Sequence, residues 1–148
     1  MRSVCLVLLA SLLLLTGGCT AAKPPAPPAA FRPVASMSQI MKAVVVPSSD
    51  VLFGVAAEAP KDDAGWTAVQ NNAVMLMESG NLLMIPGRAK DQEGWLKASQ
   101  ALVEAGMKAF KAAEAKNVDE LVMAGDLVYN TCEGCHDTYY KDQKGENQ

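Results

Sequence analysis

An all-α fold, an antiparallel up-down-up-down four-helix bundle, is what this chain predicts, and three observations predict it. Apolar residues recur alternately three and four apart along several segments, which is the spacing of a buried bundle seam. The breaks between those segments are short and hold Pro, Gly, Asn or Asp, so neighbouring helices must double back on one another. Aromatic residues make up only 5% of the chain, and Ala, Leu, Val and Met dominate its apolar half, a helical rather than a β composition.

The chain has 148 residues and a formal net charge of -3. Without its leader about 110 ordered residues remain, enough for one domain. No basic excess points to nucleic acid. Arg2 and the apolar run Val4 to Leu15 have the charged start and short hydrophobic core of an export signal, residues 1–18, too short to span a membrane. The stretch Leu15-Thr16-Gly17-Gly18-Cys19 resembles a bacterial lipobox, with Thr16 where an aliphatic residue is usual, while Thr20-Ala21-Ala22 would suit ordinary signal peptidase. Lipidation of Cys19 is the expectation, with residues 19–35, rich in Pro and Ala, as an extended semi-rigid tether.

Residues 36–141 are expected to form the helical domain and residues 142–148 a disordered tail. The first helix should start at Ser36 or Ser38 and carry Met37, Ile40, Met41, Val44 and Val45. Pro47 should interrupt it, Asp50 should cap a resumption through Val51, Leu52, Val55 and Ala56, and Pro60 should end that piece. The second helix should run from Asp62 or Asp63 to Met84 on a seam of Trp66, Val69, Ala73, Leu76, Gly80 and Leu83, broken by Ile85-Pro86-Gly87-Arg88. The third repeats the pattern with Trp95, Ala98, Leu102, Ala105, Ala109 and Ala112, leaving Lys97, Lys108 and Lys111 off the seam. Asn117 should cap the fourth, with Glu120 completing a capping box, on a seam of Val118, Leu121, Gly125, Val128, Cys132, Cys135 and Tyr139. Gly125 costs a helix about 1 kcal/mol relative to Ala, which suggests that something packs close to it.

That last seam runs into Cys132-Glu133-Gly134-Cys135-His136, a C-x-x-C-H motif. Two thiols one helical turn apart can meet the two vinyl groups of a haem, and the adjacent imidazole can reach its iron. On a helix the three side chains leave one face. A thioredoxin-like dithiol shares the C-x-x-C spacing but follows a strand, and none precedes it here. Structural zinc wants four ligands, and only three are clustered around the sole histidine. Cys5 leaves with the leader and Cys19 is lipidated or removed, so the domain keeps only Cys132 and Cys135, and no structural disulfide is expected.

The run from Gly125 to Tyr140 resembles the C-terminal haem helix of the class II cytochromes c, the cytochrome c-prime family, and the likeness extends weakly back to Ser36. It implies a four-helix bundle with one covalent haem c per chain, attached through Cys132 and Cys135 with His136 as proximal iron ligand. The expected function is an exported single-electron carrier of the periplasm or cell envelope, not an enzyme. It would serve redox partner proteins there, meeting the membrane only through a lipid anchor at Cys19. The alternative is a five-coordinate haem protein that binds a small gas such as nitric oxide. Bundles of this family often form homodimers, although no exposed apolar stripe in this sequence argues for one.

The sixth iron position separates the two readings. Topology sets aside Met107 and Met123 toward the far end of the bundle, and Met75 falls off its seam, leaving Met37, Met41, Met77 and Met84. Met41 lies about one turn into its helix, as His136 lies about one turn before the end of the last, so their heights match. Met41-Lys42 also resembles the Met-Lys of the Met-ligated, low-spin branch of the family. Met41 is the expected distal ligand, against core packing with an open site or another methionine. Arg88 and Lys42 should lie at the same end, as propionate partners or as ordinary surface charges.

Overall fold

A computed structural model describes residues 31–140. The expectations for the export signal, Cys19, the tether before residue 31 and the tail lie outside those residues. The described chain is all-helical, four closely packed rods around one core, and no strand occurs among the described residues. No helix among them is long and apolar enough to cross a membrane.

The first rod starts at a capping box. Ser36 Oγ accepts from the Gln39 amide (3.2 Å) and Gln39 Oε1 accepts from the Ser36 amide (2.8 Å), which satisfies two donors that a helix start leaves orphaned. Helix α1 (Met37–Ile40), a π-helical segment (Met41–Val45) and helix α2 (Val46–Gly54) then follow without a break. Pro47 therefore does not interrupt this rod, and Asp50, inside α2, caps nothing. The reason lies in the wide turn, where the Val46 amide reaches back five residues to the Met41 carbonyl. Pro47 is the second residue of α2, where its missing N–H costs little, and the rod ends at Gly54, well before Pro60.

Helix α3 (Asp63–Leu83) is capped by Asp62, whose Oδ1 accepts from the Gly65 amide at 2.8 Å. Its expected seam, Trp66 through Leu83, is wholly buried. In the break after it, Arg88 N donates to Ile85 O at 3.0 Å across Pro86 and Gly87, with φ of +90° at the glycine. Pro and a left-handed Gly at those two places make a type II turn. Helix α4 (Gly94–Glu114) buries Trp95, Leu102, Ala105, Ala109 and Ala112, while Ala98 is half-buried and Lys97, Lys108 and Lys111 are exposed. Small residues let α3 and α4 approach closely: a Cβ on Gly80 would lie 2.6 Å from Val103 Cγ2 and 2.8 Å from the Ser99 carbonyl oxygen. Farther along, Gly106 meets Met77, and Gln70 Nε2 donates to Ala113 O at 3.3 Å. The contacts run in opposite order along the two helices.

Lys116, in the left-handed region at φ 52°, turns the chain out of α4. Its amide donates to Ala113 O (3.2 Å) and that of Asn117 to Ala112 O (2.9 Å), the paired bonds that close a helix end on a left-handed residue. Asn117 Oδ1 then accepts from the Glu120 amide at 3.1 Å and starts helix α5 (Val118–Tyr139). On this helix Leu121, Gly125 and Val128 are buried, whereas Cys132, Cys135 and Tyr139 at the same stripe are only half-buried. Phe53 lies over Gly125, 3.7 Å from where a Cβ would stand. That is ordinary contact, with no close approach that demands a glycine.

Candidate functional site

The half-buried end of the α5 stripe opens onto an apolar cleft of about 150 Å³. Its α5 wall holds Cys132, Cys135 and His136 with Tyr129 and Thr131, and its opposite wall, from the first rod, holds Met41, Val45, Val46, Ser49 and Phe53. Leu83, Ala98, Ser99 and Leu102 close it from α3 and α4. The sequence-predicted residues Cys132, Cys135, His136 and Met41 are thus brought to one cavity, with Met41 across it from the motif. Met37, Met77 and Met84 do not line it, and Met75, Met107 and Met123 are exposed.

Polar character in the cleft is slight. Ser49 Oγ donates to Val46 O (3.0 Å), Ser99 Oγ to Trp95 O (2.9 Å) and Thr131 Oγ1 to Leu127 O (2.9 Å), so each hydroxyl proton is spent on its own helix. Cys132 and Cys135 are free thiols. Burial pushes both up from the ordinary thiol range, and for Cys132 the neighbouring Cys135 adds to the effect. Reactive dithiols carry a depressed pKa from a nearby cation or helix N-terminus. These two are protonated at neutral pH and have no charged Lys or Arg in the cleft wall. His136 is exposed, with its ring 5.5 Å from that of Tyr140. No cluster of three or more His, Cys, Asp or Glu side chains able to hold a metal ion occurs among the described residues.

A side-chain clamp that the sequence did not reveal fixes the end of α5. The Tyr139 hydroxyl donates to Asp91 Oδ2, the Asp91 carboxylate also accepts from the Glu93 and Trp95 amides (2.9 and 3.1 Å), and the Tyr139 ring meets Trp95 edge-on at 5.0 Å. Trp95 Nε1 donates to Leu83 O at 2.9 Å, tying this corner to the end of α3. Neither Arg88 nor Lys42 lines the cleft. Arg88 donates to Leu82 O (3.0 Å) and Ala35 O (3.2 Å), holding the α3–α4 turn against the entry to α1.

A larger open groove of about 300 Å³ lies between the end of the first rod and the start of α3. It contains none of the candidate residues, and its charged pair, Glu58 and Lys61, is joined at 2.5 Å. The chemistry-bearing side chains are all at the smaller cleft. No protein-family model, curated protein or solved structure matches the chain.

Proposed function

We propose that this chain is an exported c-type cytochrome, a single-electron carrier with one haem c attached through Cys132 and Cys135, His136 as proximal ligand and Met41 as distal ligand. The observation that carries the reading is the convergence of these four side chains on one apolar cleft. Two thiols and an imidazole leave a single helix face at the spacing a covalent haem requires, and a thioether faces them across the gap. Half-buried thiols that burial keeps protonated, with no Lys or Arg in the cleft wall, fit attachment better than dithiol redox chemistry. The cleft is smaller than the roughly 300–1,000 Å³ of usual ligand pockets, so attachment requires the first rod to move outward or one edge of the group to remain in solvent.

When bound, such a group supplies reversible one-electron exchange at iron. The chain's part is to hold it. The buried Leu83, Leu102 and Val45 exclude water, and the Asp91–Tyr139–Trp95 clamp fixes the helix turn that follows His136. The chain has no second histidine, so acid-base work on a substrate has no such donor here. We read the four rods as an up-down-up-down bundle with α5 as the haem-attachment helix. The opposed contacts of Gly80 and Gly106 along α4, and of Trp95 with Tyr139, support that order. In the cell the domain would sit in the periplasm or envelope, tethered by lipidated Cys19.

The test is expression with a haem-attachment apparatus, followed by a mass and an optical spectrum. The mature chain should gain the mass of one haem, and Cys132→Ser with Cys135→Ser should abolish the gain. The ferric protein should be low-spin and the ferrous form slow to bind carbon monoxide, with both properties lost in Met41→Ala. A high-spin ferric spectrum would transfer the function to small-gas binding. Failure to gain haem would end both readings.

A further inference from the structure

Charge is not spread evenly over the described residues. Residues 31–117 balance nine Lys and Arg against nine Asp and Glu, whereas α5 carries Asp119, Glu120, Asp126, Glu133 and Asp137 and no Lys or Arg. The net charge of residues 31–140 therefore resides on one helix, and all five carboxylates are exposed. At 100° per residue, Asp119, Asp126, Glu133 and Asp137 fall within about 40° of one line along that helix. That line passes beside the mouth of the cleft.

The mouth itself is apolar and open. Val46, Phe53 and Tyr129 line the cleft and yet remain 49%, 37% and 55% exposed. Tyr129 stands one turn from Asp126 and from Glu133, and Leu127, 40% exposed, extends the apolar surface on the other side of the acidic line. An open apolar mouth beside a helix face of one charge sign has the anatomy of a small transient interface, in which charge steers the encounter and apolar contact seats it.

We propose that this face of α5 and the cleft mouth is a docking surface for a basic electron-transfer protein, one that presents a ring of Lys and Arg around its own redox group. The inference rests on the electron-carrier reading for its purpose. Its electrostatics belong to the chain alone. Negative potential concentrated on the helix that bears Cys135 and His136 would bring a cationic partner to the open mouth of the cleft whose residues would hold the proposed haem, and would turn an acidic partner away.

The experiment uses the full mature chain and, as probe, a basic class I cytochrome c, with an acidic flavodoxin as the opposite probe. Binding is followed by nuclear magnetic resonance at about 10 and 200 mM ionic strength, between which the screening length falls from about 30 Å to below 10 Å. The basic probe should perturb amides of 126–137 and Val46 and Phe53, bind about tenfold more weakly in Asp126→Asn/Glu133→Gln, and release at high salt. Glu104→Gln/Glu114→Gln, on α4, should bind it as the parent does. Equal loss in both double variants, perturbations elsewhere, or preference for the acidic probe overturns the proposal. Because binding is read without electron transfer, a chain that takes up no haem would defeat the functional reading while leaving this result separately legible.

Discussion

Two helix glycines, one packed on α4 and one beneath Phe53, have opposite expected responses to a methyl group. A Cβ at Gly80 would stand 2.8 Å from the Ser99 carbonyl oxygen, a backbone atom that cannot swing aside. Gly80→Ala should therefore destabilise the fold by about 1–3 kcal/mol despite the better helix propensity of Ala. At Gly125 the nearest atom is 3.7 Å away on the Phe53 ring, so Gly125→Ala should gain about 0.5–1 kcal/mol. Urea midpoints that move the same way in both variants would refute the contrast. The clamp at Asp91 gives a pH signature. The hydrogen bond from Tyr139, reinforced by the Trp95 amide, holds Asp91 below its usual 3.8, and the same bond pushes Tyr139 from 10.0 up to about 12. For the carboxylate the contribution is present above its unfolded pKa and fades as pH falls through the folded value. For the phenol the neutral form is favoured, so its contribution is full below about pH 10 and fades as pH rises toward 12. Tyr139→Phe should lower the urea midpoint at neutral pH, and the gap from the parent should close at both ends. A gap that is as wide at pH 12 as at pH 7 would show that the bond contributes nothing.

The first rod explains how a proline survives inside a helix. Met37, Met41, Val45, Ser49 and Phe53 are spaced by four, as are Ile40, Val44, Ser48 and Leu52. Steps of four advance 40° each in a regular α-helix, so four steps would carry the series about 160° around the rod. The π-helical segment absorbs the surplus and keeps Met41 and Phe53 on one cleft wall. Deleting Ala43 should restore regular winding without moving either half off its face, but it drives the Pro47 ring into the carbonyl one turn earlier. The deletion alone should cost about 3 kcal/mol, and adding Pro47→Ala should recover most of that. Equal stability of the two variants, by urea denaturation, would sink the account. The spacing of four was the readable signal for the wide turn, and a rule that treats any proline as a stop hides it. The α3 and α5 seams were legible because their period is local, as was the Asn117 cap, three residues from its partner amide, whereas the choice of Ser36 over Ser38 and of Asp62 over Asp63 came only with the structure. Phe53 and Tyr129 as cleft walls, and Asp91 as the partner of Tyr139, depend on where separate rods cross. No local pattern encodes that.

Across the molecule, burial along the α5 stripe falls off toward the motif: Leu121 and Val128 are fully enclosed, while Cys132 and Cys135 face the cleft half-buried. The turns of α5 that carry the motif are therefore less enclosed against local opening than the turns before them, and the clamp at Tyr139 holds only the end beyond them. A group held by Cys132, Cys135 and His136 and packed on the first rod would supply the missing contacts only in the folded state, so it must stabilise that region selectively. In the haem-free chain, amides of 132–139 should exchange with solvent well ahead of those of 121–128. After haem attachment the slower rate should extend through 139, a gain of about a hundredfold in protection for the last two turns. The comparison is internal to one helix, so differences in expression or overall stability between the two forms do not affect it. Uniform protection along α5 before attachment, or unchanged exchange at 132–139 afterwards, would mean that the cleft is complete without a ligand and that the convergence of Met41 with the C-x-x-C-H residues has another cause.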